Sequence, residues 1–211
     1  FYYFFYYNFN IFINTIFLAL FGSALSLIFA IIWLEVTEFL KYDKKFLNSI
    51  FYLPLLLPEL SILLGINFYL IKLNFNNEYI NLIWINMIYI LPYTFLIFSN
   101  SYKNIDKNFI KIAKSFGHNY LTIIIKIKFG LILNLLLLTF ALGFIVSVSL
   151  YTPIYLIGNG EISTLSLEMV NFQNSGDRRN LSVATILQML IPLTVLVIFH
   201  LISKIFVKWK H

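Results

Sequence analysis

Five stretches of nearly unbroken apolar sequence, separated by short polar segments, set the frame of this chain: Ile11–Leu34, Phe46–Ile71, Tyr79–Phe98, Phe129–Tyr151 and Leu181–Val207. About 20 apolar residues let an α-helix cross a bilayer, and lipid tolerates only backbone whose polar groups are satisfied within helices or closed barrels. The pattern predicts an all-α membrane protein of about five transmembrane helices. Between the spans it places charged loops at Glu35–Lys45 and Lys72–Glu78, a long basic loop around 104–130, and a polar segment at 152–180. That last segment is long for a passive connector.

Irregularities within the spans carry information of their own. Gly22, Ser26 and Ala30 recur every four residues, and Gly143 precedes Ser147 by four; such small-residue stripes let helices approach closely. The second span contains Pro54 and Pro58, followed at once by Glu59. Proline removes a backbone donor and kinks a helix, and interrupted helices in transporters often line the cavity. An ionisable group at membrane depth costs roughly 3 kcal/mol on insertion scales and usually faces protein or water. Glu59 is therefore the candidate pathway residue, the alternatives being a place near the outer interface or a protonated, packed side chain. Pro92 and Pro192 lie in the third and fifth spans, and His200, one turn from Lys204, reads as interfacial.

The segment Asn104–Gly130, NIDKNFIKIAKSFGHNYLTIIIKIKFG, is basic and amphipathic. Ile105, Phe109, Ile112 and Phe116 fall at helical spacing for one apolar face. Lys107, Lys111, Lys114, Lys126 and Lys128 stand against the single acid Asp106. Asn104 suits an N-cap, and Gly117 with His118-Asn119 suits a break between two short helices, the second being Tyr120–Ile127. Such a helix pair can lie in the headgroup layer, held by anionic lipid, or dock on a protein.

Composition narrows the class. The chain is 60% hydrophobic and 11% charged, with a mean hydropathy of +0.85, against roughly 25% charged in soluble proteins. It has no cysteine, so neither disulfides nor thiolate metal sites enter. The net charge of +6 does not point to nucleic acid, because the cations sit between spans. Twelve lysines (41, 44, 45, 103, 107, 111, 114, 126, 128, 204, 208 and 210) fall on one side if the spans alternate, leaving Lys72, Arg178 and Arg179 on the other. The positive-inside rule makes residues 104–128 cytoplasmic and 152–180 periplasmic. The N-terminus is then outside, and the aromatic run Phe1–Asn10 lacks the form of a signal peptide and suits an interfacial belt. Upstream sequence, with at least one further span, is expected.

The basic loop also resembles the cytoplasmic loop of importer permeases of the ATP-binding-cassette (ABC) class, E-A-A-x-x-x-G-x9-I-x-L-P. Lys111, Ile112 and Ala113 stand in the first three places, Gly117 four residues on, Ile127 ten later, and Phe129 and Gly130 in the last two. Ala113, Gly117 and Ile127 match; the Glu, the first Ala, the Leu and the Pro do not. The order of spans is similar to the five-helix core of methionine-importer-type permeases. Ser147–Leu190, with Y-T-P-I-Y-L-I-G-N-G, S-T-L-S-L-E and S-G-D-R-R, looks like the second half of thiamine-type permeases, which fuse two such cores. The resemblance implies one permease core over 1–211 in a bacterial inner membrane. Its loop, through Phe109, Lys111, Ile112, Ala113, Phe116, Gly117 and Ile127, would engage a cytoplasmic ABC ATPase dimer carrying ATP and Mg. The further partners implied are a second permease half or subunit, a periplasmic substrate-binding protein and membrane lipid. No G-x-x-x-x-G-K-S/T phosphate loop occurs here, so ATP chemistry belongs to a partner and the chain itself is not expected to be an enzyme. No catalytic set or metal cluster is evident. Two other classes stay open: an ion-coupled secondary transporter, for which Glu59 is the candidate, and a non-transporting membrane assembly protein.

Overall fold

The computed structural model describes residues 4, 8–40, 45–75, 77–105, 107–117, 119, 122–158 and 160–208, and the regular elements among them are all helical. In chain order they are α1 (Phe9–Phe39), α2 (Lys45–Ile50), α3 (Leu53–Leu56), α4 (Glu59–Lys72), α5 (Glu78–Lys103), α6 (Lys107–Ser115), a π-helix (Ile123–Lys128), α7 (Phe129–Ser149), α8 (Thr152–Ile157), α9 (Leu165–Ser175) and α10 (Arg178–Lys208). The all-α membrane class stands: α1, α5, α7 and α10 are long and apolar enough to cross a membrane.

The second apolar stretch, expected as one span interrupted at Pro54 and Pro58, is broken further than that. It is divided into α2, α3 and α4, with Leu57 extended (φ −93°, ψ 148°) ahead of Pro58. Proline's ring crowds the residue before it out of the helical region and leaves no N–H to continue the ladder. The pieces nonetheless climb the bundle. Trp33 Nε1 donates to Asn48 Oδ1 (2.9 Å), the Phe51 ring packs on Trp33 and Phe95, Tyr89 Oη donates to the Glu59 carbonyl (3.2 Å), and Asn67 Nδ2 donates to the Leu156 carbonyl (3.2 Å). The segment thus runs from the end of the bundle that holds Trp33 to the end that holds α8.

Three boundaries also differ from the pattern. Helix α1 continues through Glu35 and Glu38, which the charge pattern assigned to a loop. Asn104 follows the last residue of α5 as its C-cap, rather than opening the next helix. The 152–180 segment contains two helices of its own, α8 and α9. The start of α9 is pinned to α1 and the end of α7 by hydrogen bonds: Leu165 N donates to Thr15 Oγ1 (2.9 Å), Asn14 Nδ2 to the Ser163 carbonyl (3.1 Å), and Ser166 Oγ to the Leu150 carbonyl (2.9 Å). The S-G-D-R-R run is the turn between α9 and α10. Gly176 closes α9 at φ +76°, and Asp177 accepts from Asn180 N (3.1 Å) at the head of α10. Of the aromatic run, Phe4 is buried against Phe12 and Phe172 and Phe9 is exposed; residues 1–3 and 5–7 lie outside the described residues.

The core is the seam where α1, α5 and α7 meet, with α10 packed on the far side of α7. Both small-residue stripes lie in it. A Cβ on Gly22 would stand 3.1 Å from Asn86 Cβ and 3.2 Å from Ile90 Cδ1; one on Gly143 would stand 3.1 Å from Ile90 and Thr94 and 3.2 Å from Ser23. Across the seam Ser26 pairs with Thr94 and Asn86 Nδ2 donates to Ser147 Oγ (3.3 Å). The outer face of α10, with Leu193, Val197 and Leu201 about half exposed, is apolar enough for lipid or a neighbouring helix.

Candidate functional site

The chain's candidate chemistry gathers at the end of the bundle that carries residues 104–128, here called the basic end. Helix α6 is short and amphipathic and lies against the π-helix. Ile112 and Phe116, one turn apart, are exposed, Phe116 at 77%, and Lys111 and Gly117 are exposed beside them. Ala113 turns the other way and is buried. The side chains of Phe109 and Ile127 lie outside the described residues, as do His118, Asp106, Lys41, Lys44 and Lys210. Gly117 has φ +76°, with nothing among the described residues within 4 Å of where a Cβ would be. The break expected at Gly117 is therefore a left-handed residue on an open surface, cheap for glycine and strained for others. A large apolar residue displayed among lysines suits a protein contact with a polar rim and equally the headgroup layer of a membrane.

Glu59 opens α4 at the break after Pro58. Its carbonyl accepts from the Tyr89 hydroxyl (3.2 Å), level with the middle of α5. Glu59 Oε1 is buried and has no hydrogen-bond partner among the described residues. A buried carboxyl oxygen left without a partner is costly.

The group that the sequence pattern missed is Lys128. Counted there among the loop lysines, it is 1% exposed and sits at the end of the π-helix, directly before α7. Its ammonium lies 2.9 Å from Glu35 Oε2, 2.7 Å from Glu38 Oε2 and 2.8 Å from Tyr102 Oη. Tyr102 Oη lies within hydrogen-bond distance of both carboxylates, with one proton to share between them, and the ammonium stands 5.2 Å from the Tyr102 ring centroid. One cation thus joins the end of α1, the end of α5 and the start of α7. Buried lysines occur only when paired, and the two acids one turn apart at the tail of an apolar helix were the available signal. A π-helix carries an extra residue per turn and is rare outside functional sites; this one ends on Lys128.

His200 is exposed on α10 and contributes nothing to this cluster. No family model matches the chain. Over 192 residues, 91% of its length, it is 26% identical to the inner membrane ABC transporter permease protein YnjC of Escherichia coli (strain K12), and spans 36% of that protein's length. The chain thus spans about a third of the length of this relative, and the likeness stands beside four helices long and apolar enough to cross a membrane.

Proposed function

We propose that the chain is a transmembrane core of a binding-protein-dependent ABC importer, forming part of the substrate pathway and coupling through residues 104–128 to a separate cytoplasmic ATPase. The observation that carries this reading is the likeness to a named ABC permease over nearly the whole chain. The exposed Ile112, Phe116 and Gly117 on a basic helical loop support the position of the coupling surface. In this reading α6 seats in the ATPase, nucleotide-driven closure of two ATPases moves the loop, and the spans alternate access to the pathway. A second permease half or subunit completes that pathway, and a periplasmic binding protein delivers a small solute, thiamine-like by the resemblance of Ser147–Leu190. The basic loop faces the cytoplasm by lysine asymmetry.

The test is co-purification of the complete polypeptide with the ATPase encoded beside it, followed by ATP hydrolysis with and without the binding protein. Association and stimulation are the expected results; a polypeptide that transports its solute with no ATPase bound sinks the reading. One observation favours a second reading. The unpartnered Glu59 Oε1 at a helix break is what an ion-coupled carrier would use, and transport driven by an ion gradient without ATP would select it.

A further inference from the structure

We propose that Lys128 is a latch: its bonds to Glu35, Glu38 and Tyr102 hold the basic ends of α1, α5 and α7 together, and their rupture opens that end of the bundle. All four groups lie within the last turns of their helices, so the cluster closes one end of the seam and leaves the rest to apolar contacts. Around it stand Leu34, Phe98 and Ile132, all buried. A permanent joint here would be as stable built from such side chains, since a buried ion cluster gains little over apolar packing of equal volume. The two kinds of seam differ when opened. Apolar side chains lose their burial without return, whereas ammonium and carboxylates recover their hydration. A charged seam therefore parts at lower cost than an apolar one. Water already has an approach, because the Glu38 side chain is 33% exposed while Lys128 is at 2%.

The latch also has a handle. Lys128 ends the π-helix against which α6 lies, and the start of that π-helix is tied back to the loop by Ile123 N donating to the Asn119 carbonyl (3.1 Å). Displacement of the loop thus reaches Lys128 through one short, irregular helix. Only this use of the latch in transport rests on the permease reading; the latch itself does not.

The test reads opening directly. Ser99 is buried on α5, three residues before Tyr102, and Ser166 is buried at the other end of the bundle. Single Ser99→Cys and Ser166→Cys reporters are placed in the complete polypeptide in its native membrane, after any cysteine outside these 211 residues is replaced by serine. Their rates of reaction with the small permeant reagent N-ethylmaleimide are compared with and without Lys128→Met. That change leaves two carboxylates facing each other, and labelling at Ser99→Cys should rise about tenfold, equivalent to about 1.4 kcal/mol, with Ser166→Cys unchanged. Tyr102→Phe, which removes the hydroxyl bonded to the ammonium and carboxylates but no charge, should raise it about tenfold, the scale of a hydrogen bond to a charged group, and serves where Lys128→Met fails to insert. Equal rises at both ends would mean general loosening, and no rise at Ser99→Cys would mean a seam closed without Lys128; either overturns the latch. Because the reporter needs neither ATPase nor substrate, the latch and the importer reading can fail separately.

Discussion

Ser26 Oγ and Thr94 Oγ1 meet at 2.5 Å in the buried seam between α1 and α5. Interhelical hydrogen bonds in membranes are worth about 0.6 kcal/mol on average, so this pair places the helices more than it holds them. What holds them is the closeness that the glycines permit, and this predicts a contrast. Gly143→Leu forces a side chain against Ile90, Thr94 and Ser23 and should cost roughly 1–3 kcal/mol, as overpacking does. Gly65, in α4, has nothing within 4 Å of its Cβ position, so Gly65→Ala should be tolerated and add up to about 1 kcal/mol of helix propensity. Thermal unfolding in detergent, followed by aggregation, checks the pair; equal midpoints would remove close packing as the organising term.

The orientation of the bundle gives a second prediction. Asn119 and Asn174 are both exposed, the first in the basic loop and the second in α9. With Asn119→Cys and Asn174→Cys made singly, an impermeant maleimide added to intact spheroplasts should label the second and spare the first. The reverse pattern would turn the chain over and place the docking patch on the wrong side for a cytoplasmic partner.

How much of this was legible in sequence depended on which force was at work. Hydrophobic length located α1, α5, α7 and α10, and the Gly22/Ser26/Ala30 and Gly143/Ser147 stripes located the faces on which three of them meet, because spacing along one helix is enough to define a face. The second span was legible as interrupted, at Pro58, but not as three separate helices. Lys128 was misread for a different reason. Its burial depends on three groups 26 to 93 residues away, and no local pattern distinguishes a lysine that meets two carboxylates from one that meets water. Glu35 and Glu38 were assigned to a loop because charge usually ends an apolar helix; here their common partner lets the helix continue.

Glu59 supplies a third prediction. Its unpartnered oxygen lies beside the helix break, at the depth of Tyr89. Glu59→Gln keeps the shape and removes the possible charge. If the residue lines the pathway, uptake should fall by about tenfold, equivalent to about 1.4 kcal/mol, with expression and ATPase association unchanged. Uptake equal to wild type across all solute concentrations would leave Glu59 a packed residue at a kink.

The last prediction turns on Gly117. Its φ of +76° and the open space around it separate two costs that usually come together. Any side chain there bears backbone strain of roughly 1 kcal/mol or more, but asparagine tolerates the left-handed region better than most, and a Cβ meets nothing within 4 Å among the described residues. Gly117→Asn is therefore a control for strain, while Gly117→Asp adds a negative charge of similar shape to a patch ringed by Lys111 and Lys114. If α6 docks on an ATPase through Ile112 and Phe116, both variants should insert normally, and ATPase pull-down should fall about tenfold further for Gly117→Asp than for Gly117→Asn, the scale of a charge left unpaired at an interface. Phe116→Ala should lose a comparable amount by emptying the apolar anchor. If the loop instead lies on anionic lipid, Gly117→Asp should weaken membrane-surface contact and leave the pull-down at wild-type yield. That outcome would detach the coupling role from residues 104–128 and require another surface for the partner.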